Sequence, residues 1–350
     1  MPLLQLCHTF PIMNDPQLPK FRLSEISTLF DQVLPDLMHK YHVPGVGIVG
    51  IENGTLAWTR QFGVRSIQTQ EAVTANTIFE ACSMTKPLFA YAVLKLVERE
   101  YLDLDVPLVK YLGHPYIENE PLHEIITARM VLTHTSGLPN WRPGDRDGDE
   151  PLVVHFEPGS DYQYSGEGFW FLQRAVESIT NTPLHKWLDA QLMQPLGMKN
   201  SSLVWKDEFD DVAVGHDING QPEKERNPFT RPNAAFSLYT TPSDYALFIE
   251  EILKPDRAAS HSLEKEMLMQ MLASHYEAPH TKSYGKRTLR GLGWEILETA
   301  NATYHGHAGA NRDMFRCTCL FDVSARDGFV LMANAAGGEG LREELLSALY

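Results

Sequence analysis

The chain has 350 residues and little of what several protein classes require. It carries four cysteines, Cys7, Cys82, Cys317 and Cys319, and no C-x-x-C pair, which excludes the common thiolate zinc sites. Cys317 and Cys319 stand two apart in a strand-like run and face the same way, a poor disulfide geometry. No apolar run approaches the ~20 residues of a membrane span. Positive charge is scarce: 30 Lys and Arg against 45 Asp and Glu leave a formal charge of −15. That argues against nucleic acid or an anionic membrane as partner. Neither H-E-x-x-H nor G-x-S-x-G occurs, which excludes a zincin site and the nucleophile elbow of an α/β-hydrolase. "HEII" at His123 lacks a second histidine, and "DRDGDE" at 145–150 lacks the placed glycine and late glutamate of a calcium loop. His305 and His307 have a spacing that suits a strand-borne pair of ligands, but nothing else supports them, so no metal or cofactor is expected. The first 20 residues show no basic stretch followed by an apolar one, so the expectation is no secretory signal, a cytoplasmic location and reduced thiols.

What is present has a clear order along the chain. Ile26, Leu29, Phe30, Val33, Leu34, Leu37 and Met38 follow helix spacing from Leu23, with Ser24 as a cap and Pro35 as a bend. Asn53-Gly54 between two apolar runs predicts a hairpin with strands over 46–52 and 55–62. A helical pattern starts at Ser83 and runs to about Glu100, with Pro87 in its first turn. Helical segments continue to about 255, interrupted by loops at 139–162 and 206–233; the acidic stretch at 142–150 and the segment at 206–233 are expected to wall a pocket. The C-terminal part returns to strands: Phe315, Cys317, Cys319 and Phe321 alternate, and "SARDG" makes a turn. "LREELLSALY" then closes the chain as a helix. These readings predict an α/β fold of the α+β type. An antiparallel sheet built from 1–80 and 256–350 is flanked by helices, 81–255 is an inserted, mainly helical domain, and the site lies in the cleft between them.

Ser-x-x-Lys occurs three times, at Ser83/Lys86, Ser262/Lys265 and Ser283/Lys286, against about one or two expected by chance at average residue usage. The first opens an apolar helix. A serine hydroxyl becomes a nucleophile when a base removes its proton, and a lysine serves as that base when burial and positive potential lower its pKa. Glu264 and Glu266 flank Lys265 and act against that, and Lys286 sits in a basic, glycine-containing loop. For a second proton carrier the sequence offers Tyr164, just before a helical run, and His307, in a strand rich in small residues. The backbone N–H of Ser83, at a helix start, is a donor suited to an anion.

"NTIFEACSMTKP" at 76–87, "ITARMVLTHTSGLP" at 126–139, "FEPGSDYQYSGEGFWFL" at 156–172, "QPLGMKNSSL" at 194–203 and "GHAGAN" near the end appear in a characteristic order. The chain resembles the serine β-lactamase and penicillin-binding-protein family, in the branch of class C β-lactamases, D-amino-acid peptidases and fold-sharing esterases. The resemblance implies Ser83 as acylated nucleophile, Lys86 as its base, Tyr164 as proton carrier to the leaving group, and His307 where relatives carry lysine or histidine. It implies an oxyanion hole from the backbone N–H groups of Ser83 and Ala310. His134, Ser136 and Gly137 are implied to be structural. Gly166 stands where relatives often carry an amide-binding asparagine. With Gly309, and with Asp313 beside Arg312, it is expected to line the substrate pocket. The expected substrate is a small ester or amide, the ester favoured. A β-lactamase, D-peptidase, amidase or acyltransferase is the nearer alternative, and a catalytically weak binding or assembly module the more distant one.

Overall fold

The computed structural model describes residues 23–142, 151–254, 259–283, 286–299 and 302–347. Cys7, the acidic run at 145–150 and the last three residues lie outside them. Helix α1 (Leu23–Lys40) continues through Pro35. Strands β1 (Gly45–Glu52) and β2 (Thr55–Gly63) follow, joined as predicted at Asn53 and Gly54, both with positive φ (54° and 75°). Such a turn matches the twist of the strands on either side.

A short strand β3 (Phe79–Glu80) leads to a 3-10 turn, Cys82–Met84, and then to α2 (Thr85–Glu98). Next come α3 (Val109–Leu112), α4 (Ala128–Leu132), α5 (Gly166–Thr180), α6 (Leu184–Leu188), α7 (Gln194–Leu196), β4 (Tyr239–Thr240), α8 (Pro242–Leu253) and α9 (Lys265–Leu272). The strands return as β5 (Tyr276–Ser283), β6 (Lys286–Arg290), β7 (Glu295–Glu298), β8 (Thr303–Asn311), β9 (Phe315–Asp322) and β10 (Asp327–Ala333), and α10 (Gly338–Ser347) follows.

The eight long strands form one antiparallel sheet in the order β2-β1-β10-β9-β8-β7-β6-β5. Strands from the two ends of the chain meet at the β1–β10 ladder, where Ile48 pairs with Leu331. The sheet separates two apolar layers. On one face Phe30, Leu34, Phe329 and Leu341 pack between the sheet and helices α1 and α10. On the other face Cys317, Cys319 and Phe321 of β9 meet α2, α8 and Trp294 in the larger core. Each face takes alternate residues of a strand, which is why the period-two pattern at 315–321 was readable.

Helix α8 departs from the expected division at 255. It packs on β1, β2 and β10 rather than on the other helices alone. Its Pro242 sits against Gly47, where a Cβ would come within 3.0 Å of the ring. The physical reason is amphipathicity: α8 buries Tyr245, Phe248, Ile249 and Ile252 on the face that meets the sheet and α2.

Candidate active site

The Ser83 turn is built by its neighbours on both sides. Ala81 N donates to Leu238 O at 2.8 Å, fixing the end of β3 against the β4 segment. Cys82 then adopts φ +54°, a conformation uncommon outside glycine, and the chain enters the 3-10 turn. Ser83 is therefore not in the first turn of an α-helix, as its spacing predicted. Thr85 begins α2, and its Oγ1 donates to Cys82 O (2.7 Å) while accepting from Leu238 N (3.1 Å). The Tyr245 hydroxyl of α8 donates to Met84 O at 2.9 Å. Cys82 and Met84 are buried, while Ser83 between them is only half-buried and reachable.

Lys86 follows one turn later and has no solvent exposure. Its Nζ lies 3.2 Å from Ser83 Oγ and donates to Ala235 O at 2.8 Å. The rings of Tyr164 and Phe169 flank it, with centroids 4.8 and 5.5 Å away. Among the described residues no carboxylate pairs with it, and burial, only partly opposed by Cys82, lowers its pKa to about 7. The other two Ser-x-x-Lys pairs do not reproduce this. Lys265 is exposed at the start of α9, Ser262 Oγ has no hydrogen-bond partner among the described residues, and the Ser283 and Lys286 side chains lie outside those described.

Tyr164 reaches the pair from the residue before the α5 cap. Ser165 caps that helix by accepting from Gly168 N at 2.8 Å, worth about 1 kcal/mol. His134 fixes the same point: its Nδ1 accepts from Ser165 N at 3.1 Å, and its ring stacks on Tyr164 at 4.3 Å. His134 is thus a support for Tyr164, as the resemblance implied. Burial pushes the Tyr164 phenol above its usual range, and a hydrogen bond with Ser83 pulls it the other way. It keeps its proton at neutral pH and is a donor.

His307 completes the group from β8, its ring 6.2 Å from that of Tyr164. Its Nδ1 contacts Ala308 O at 2.6 Å. A carbonyl only accepts, so Nδ1 carries the hydrogen and Nε2 is left with a lone pair. Nε2 has no hydrogen-bond partner among the described residues. Burial, with the nearby Lys86 amine, pushes His307 down to about 3, so it is neutral in any ordinary buffer. Gly309, two residues on, brings β8 against the Ser83 turn. A Cβ there would lie 2.8 Å from Ala81 O and 3.0 Å from Ser83 N. His305 points its Nε2 at Leu272 O instead (2.9 Å).

Several residues of this arrangement are absent from the sequence reading. Glu80, buried in β3, accepts from Asn311 Nδ2 at 2.9 Å and pairs with Arg312. Asn311 Nδ2 also donates to Phe236 O (3.2 Å), and Arg312 reaches Glu223 (3.2 Å). One buried carboxylate thereby joins the nucleophile turn, the end of β8 and the segment that holds Lys86. The only sequence signal was a glutamate inside an apolar strand.

Two expectations for the pocket are corrected. Asp313 does not face Ser83: its side chain is 93% exposed and pairs with Arg316 at 3.0 Å, the partner three residues along the same hairpin. Arg312 turns to Glu80 and Glu223. Gly166 is buried, and the position of a Cβ on it is filled by Asn140 O (2.7 Å) and the Trp141 ring (2.8 Å).

The site thus brings together a buried amine beside a reachable serine hydroxyl, a tyrosine ring against the amine and a strand edge at the serine amide, on a mixed α/β fold. The chain belongs to the β-lactamase family: the family profile described as Beta-lactamase matches residues 30–349. Members of this family are serine hydrolases. It is 31% identical over 240 residues to esterase EstB of Burkholderia gladioli, covering 61% of this chain and 60% of that one. It is 24% identical over 332 residues to protein flp of Staphylococcus aureus, covering 87% of this chain and 62% of that one. The chain thus spans less than two thirds of these curated relatives. Among solved structures it resembles a class C β-lactamase (TM-score 0.76, 21% identity, 95% of this chain and 99% of that one). The D-alanine carboxypeptidase AmpC of Burkholderia cenocepacia is similar (TM-score 0.75, 20% identity, 94% and 98%). So is the octameric penicillin-binding protein homologue of Pyrococcus abyssi (TM-score 0.74, 24% identity, 91% and 74%). Among the described residues no helix is long and apolar enough to cross a membrane.

Proposed function

We propose that the protein hydrolyses small esters through an acyl-enzyme on Ser83. The observation that carries this is the solvent-free Lys86 amine 3.2 Å from Ser83 Oγ. In the first step Ser83 Oγ attacks the substrate carbonyl carbon and its proton passes to Lys86 Nζ. The carbonyl π-bond becomes an oxyanion, which the N–H groups of Ser83 and Ala310 receive. Collapse of the tetrahedral species breaks the bond to the leaving oxygen. Tyr164 gives that oxygen a proton and regains one from the Lys86 ammonium. Water then repeats the sequence on the acyl-enzyme and releases the acid.

Ester preference over β-lactam rests on two features. His307 is neutral and so presents no cation to a carboxylate. Position 166, two residues after Tyr164, offers no side-chain amide, and a Cβ there would meet Asn140 O and the Trp141 ring. The similarity to esterase EstB supports the same reading. The test is a panel of p-nitrophenyl acetate, a D-alanine amide and a chromogenic cephalosporin on purified protein. The ester should be turned over at least about 100-fold more efficiently than the cephalosporin. A cephalosporin turned over faster than the ester would favour the β-lactamase alternative. Absence of turnover, together with no labelling by a fluorophosphonate, would leave a binding module.

A further inference from the structure

The strand that leads to the nucleophile and the strand that passes its amide belong to different sheets. β3 pairs with β4, whereas β8 pairs with β7 and β9. Side chains make the join between them, and Glu80 lies at its centre. Glu80 Oε2 accepts from Asn311 Nδ2 at 2.9 Å, and Oε1 pairs with Arg312. These two partners directly follow Ala310, and Asn311 is the last residue of β8. The backbone carbonyl of Glu80 accepts from the thiols of Cys82 (3.2 Å) and Cys317 (3.1 Å), on the nucleophile turn and on β9. The path of the hairpin tip brings Arg312 to this point. Arg312 and Asp313 have φ of +48° and +52°, a region that side chains disfavour, and Met314 N donates to Asn311 O at 2.8 Å to close the turn. Packing does not account for the carboxylate. Glu80 is 4% exposed and stands between Phe79 and Ala81, both fully buried. An apolar residue of similar size would fill the space without the cost of burying a charge.

We infer that Glu80 is a positioning residue: its carboxylate holds the end of β8 at the distance from the Ser83 turn at which the N–H groups of Ser83 and Ala310 face one oxygen. This rests on Ser83 being the nucleophile. The oxyanion forms in acylation and again in deacylation, so a displaced β8 slows both steps alike. kcat then falls while KM, which depends on the ratio of the two steps, stays. The Lys86 amine is held from the other side by Ala235 O and keeps its affinity for a proton.

The experiment measures p-nitrophenyl acetate turnover and fluorophosphonate labelling of Ser83 in wild type, Glu80→Gln, Asn311→Ser and the double variant, with thermal unfolding of each. Glu80→Gln keeps the size but turns an amide donor toward the Arg312 guanidinium or toward Asn311 Nδ2. Its kcat should fall about 10- to 100-fold with KM within about threefold, and labelling should slow in proportion. Asn311→Ser should show the same split, and the double variant should be no slower than the slower single, because both cut one link. Labelling of Glu80→Gln should keep the wild-type bend at about pH 7 set by Lys86. A Glu80→Gln enzyme with kcat within about threefold of wild type, a loss confined to KM, a moved bend or an additive double variant each overturns the inference alone. Should Glu80→Gln fail to fold, Asn311→Ser decides: a lowered kcat at constant KM supports the inference, and wild-type kcat overturns it. Wild type that resists labelling overturns the nucleophile assignment and this inference with it.

Discussion

Ser83→Ala should lower ester turnover by about 10⁴-fold or more, Lys86→Ala should do nearly the same, and the double variant should be no worse than either. The reason is that the two act as one unit. Without Oγ there is nothing to acylate. Without Nζ the hydroxyl keeps its proton, because the groups around it are poor bases: Tyr164 is protonated, and burial still holds His307 below its usual range. The residual rate would reflect binding and the oxyanion donors alone. The check is kcat on a short chromogenic ester, alongside thermal unfolding to show that each variant is folded. Ser83→Ala removes one partly accessible oxygen and should leave the melting temperature nearly unchanged. Lys86→Ala empties a buried site, so its fold needs the separate measurement. A Lys86→Ala enzyme within tenfold of wild type would show that another group takes the proton.

Gly309→Ala should cost about 10²–10³ in kcat, the range for losing an oxyanion donor. The added methyl would sit 2.8 Å from both Ala81 O and Cys82 Cβ, and 3.0 Å from Ser83 N. These are backbone atoms and a buried side chain held by the β3–β4 ladder, so β8 rather than the turn must move. The N–H groups of Ala310 and Ser83 would then no longer converge on one oxygen. Gly309 does not have a positive φ, so the strain is purely steric and confined to this approach. Fluorophosphonate labelling should slow in proportion, while His307 and Lys86 keep their places. Unchanged turnover would mean that the oxyanion is held elsewhere.

Features governed by neighbours in the chain were legible. Asn53-Gly54 placed the first hairpin, and the alternation at Phe315–Phe321 placed β9 with its buried face. Context also separated Ser83/Lys86 from its two imitations, because Glu264 and Glu266 flank Lys265 and Lys286 stands in a basic, glycine-containing run. The unreadable features depend on long-range packing. Glu80 meets Asn311 and Arg312 across 231 and 232 residues, and no local pattern announces that. The 3-10 turn at Ser83 arises because Leu238 and Tyr245 clamp it from another part of the chain. Asp313 was misplaced for a different reason: it stands at the solvent-exposed tip of the β8–β9 hairpin, where its side chain pairs with the nearby Arg316. Gly166 was read as an absence of asparagine, whereas its neighbour Trp141 occupies the space.

The most direct measurement of the central proposition is the rate of Ser83 labelling by a fluorophosphonate between pH 5.5 and 9. Burial lowers Lys86 to about 7, so the amine is protonated and unable to accept a proton below that value, and free above it. The rate should rise tenfold per pH unit at the acid end, bend near pH 7 and stay level above, and Lys86→Ala should be slow with no such bend. A wild-type rate still climbing at pH 9, or the same bend in Lys86→Ala, would contradict it.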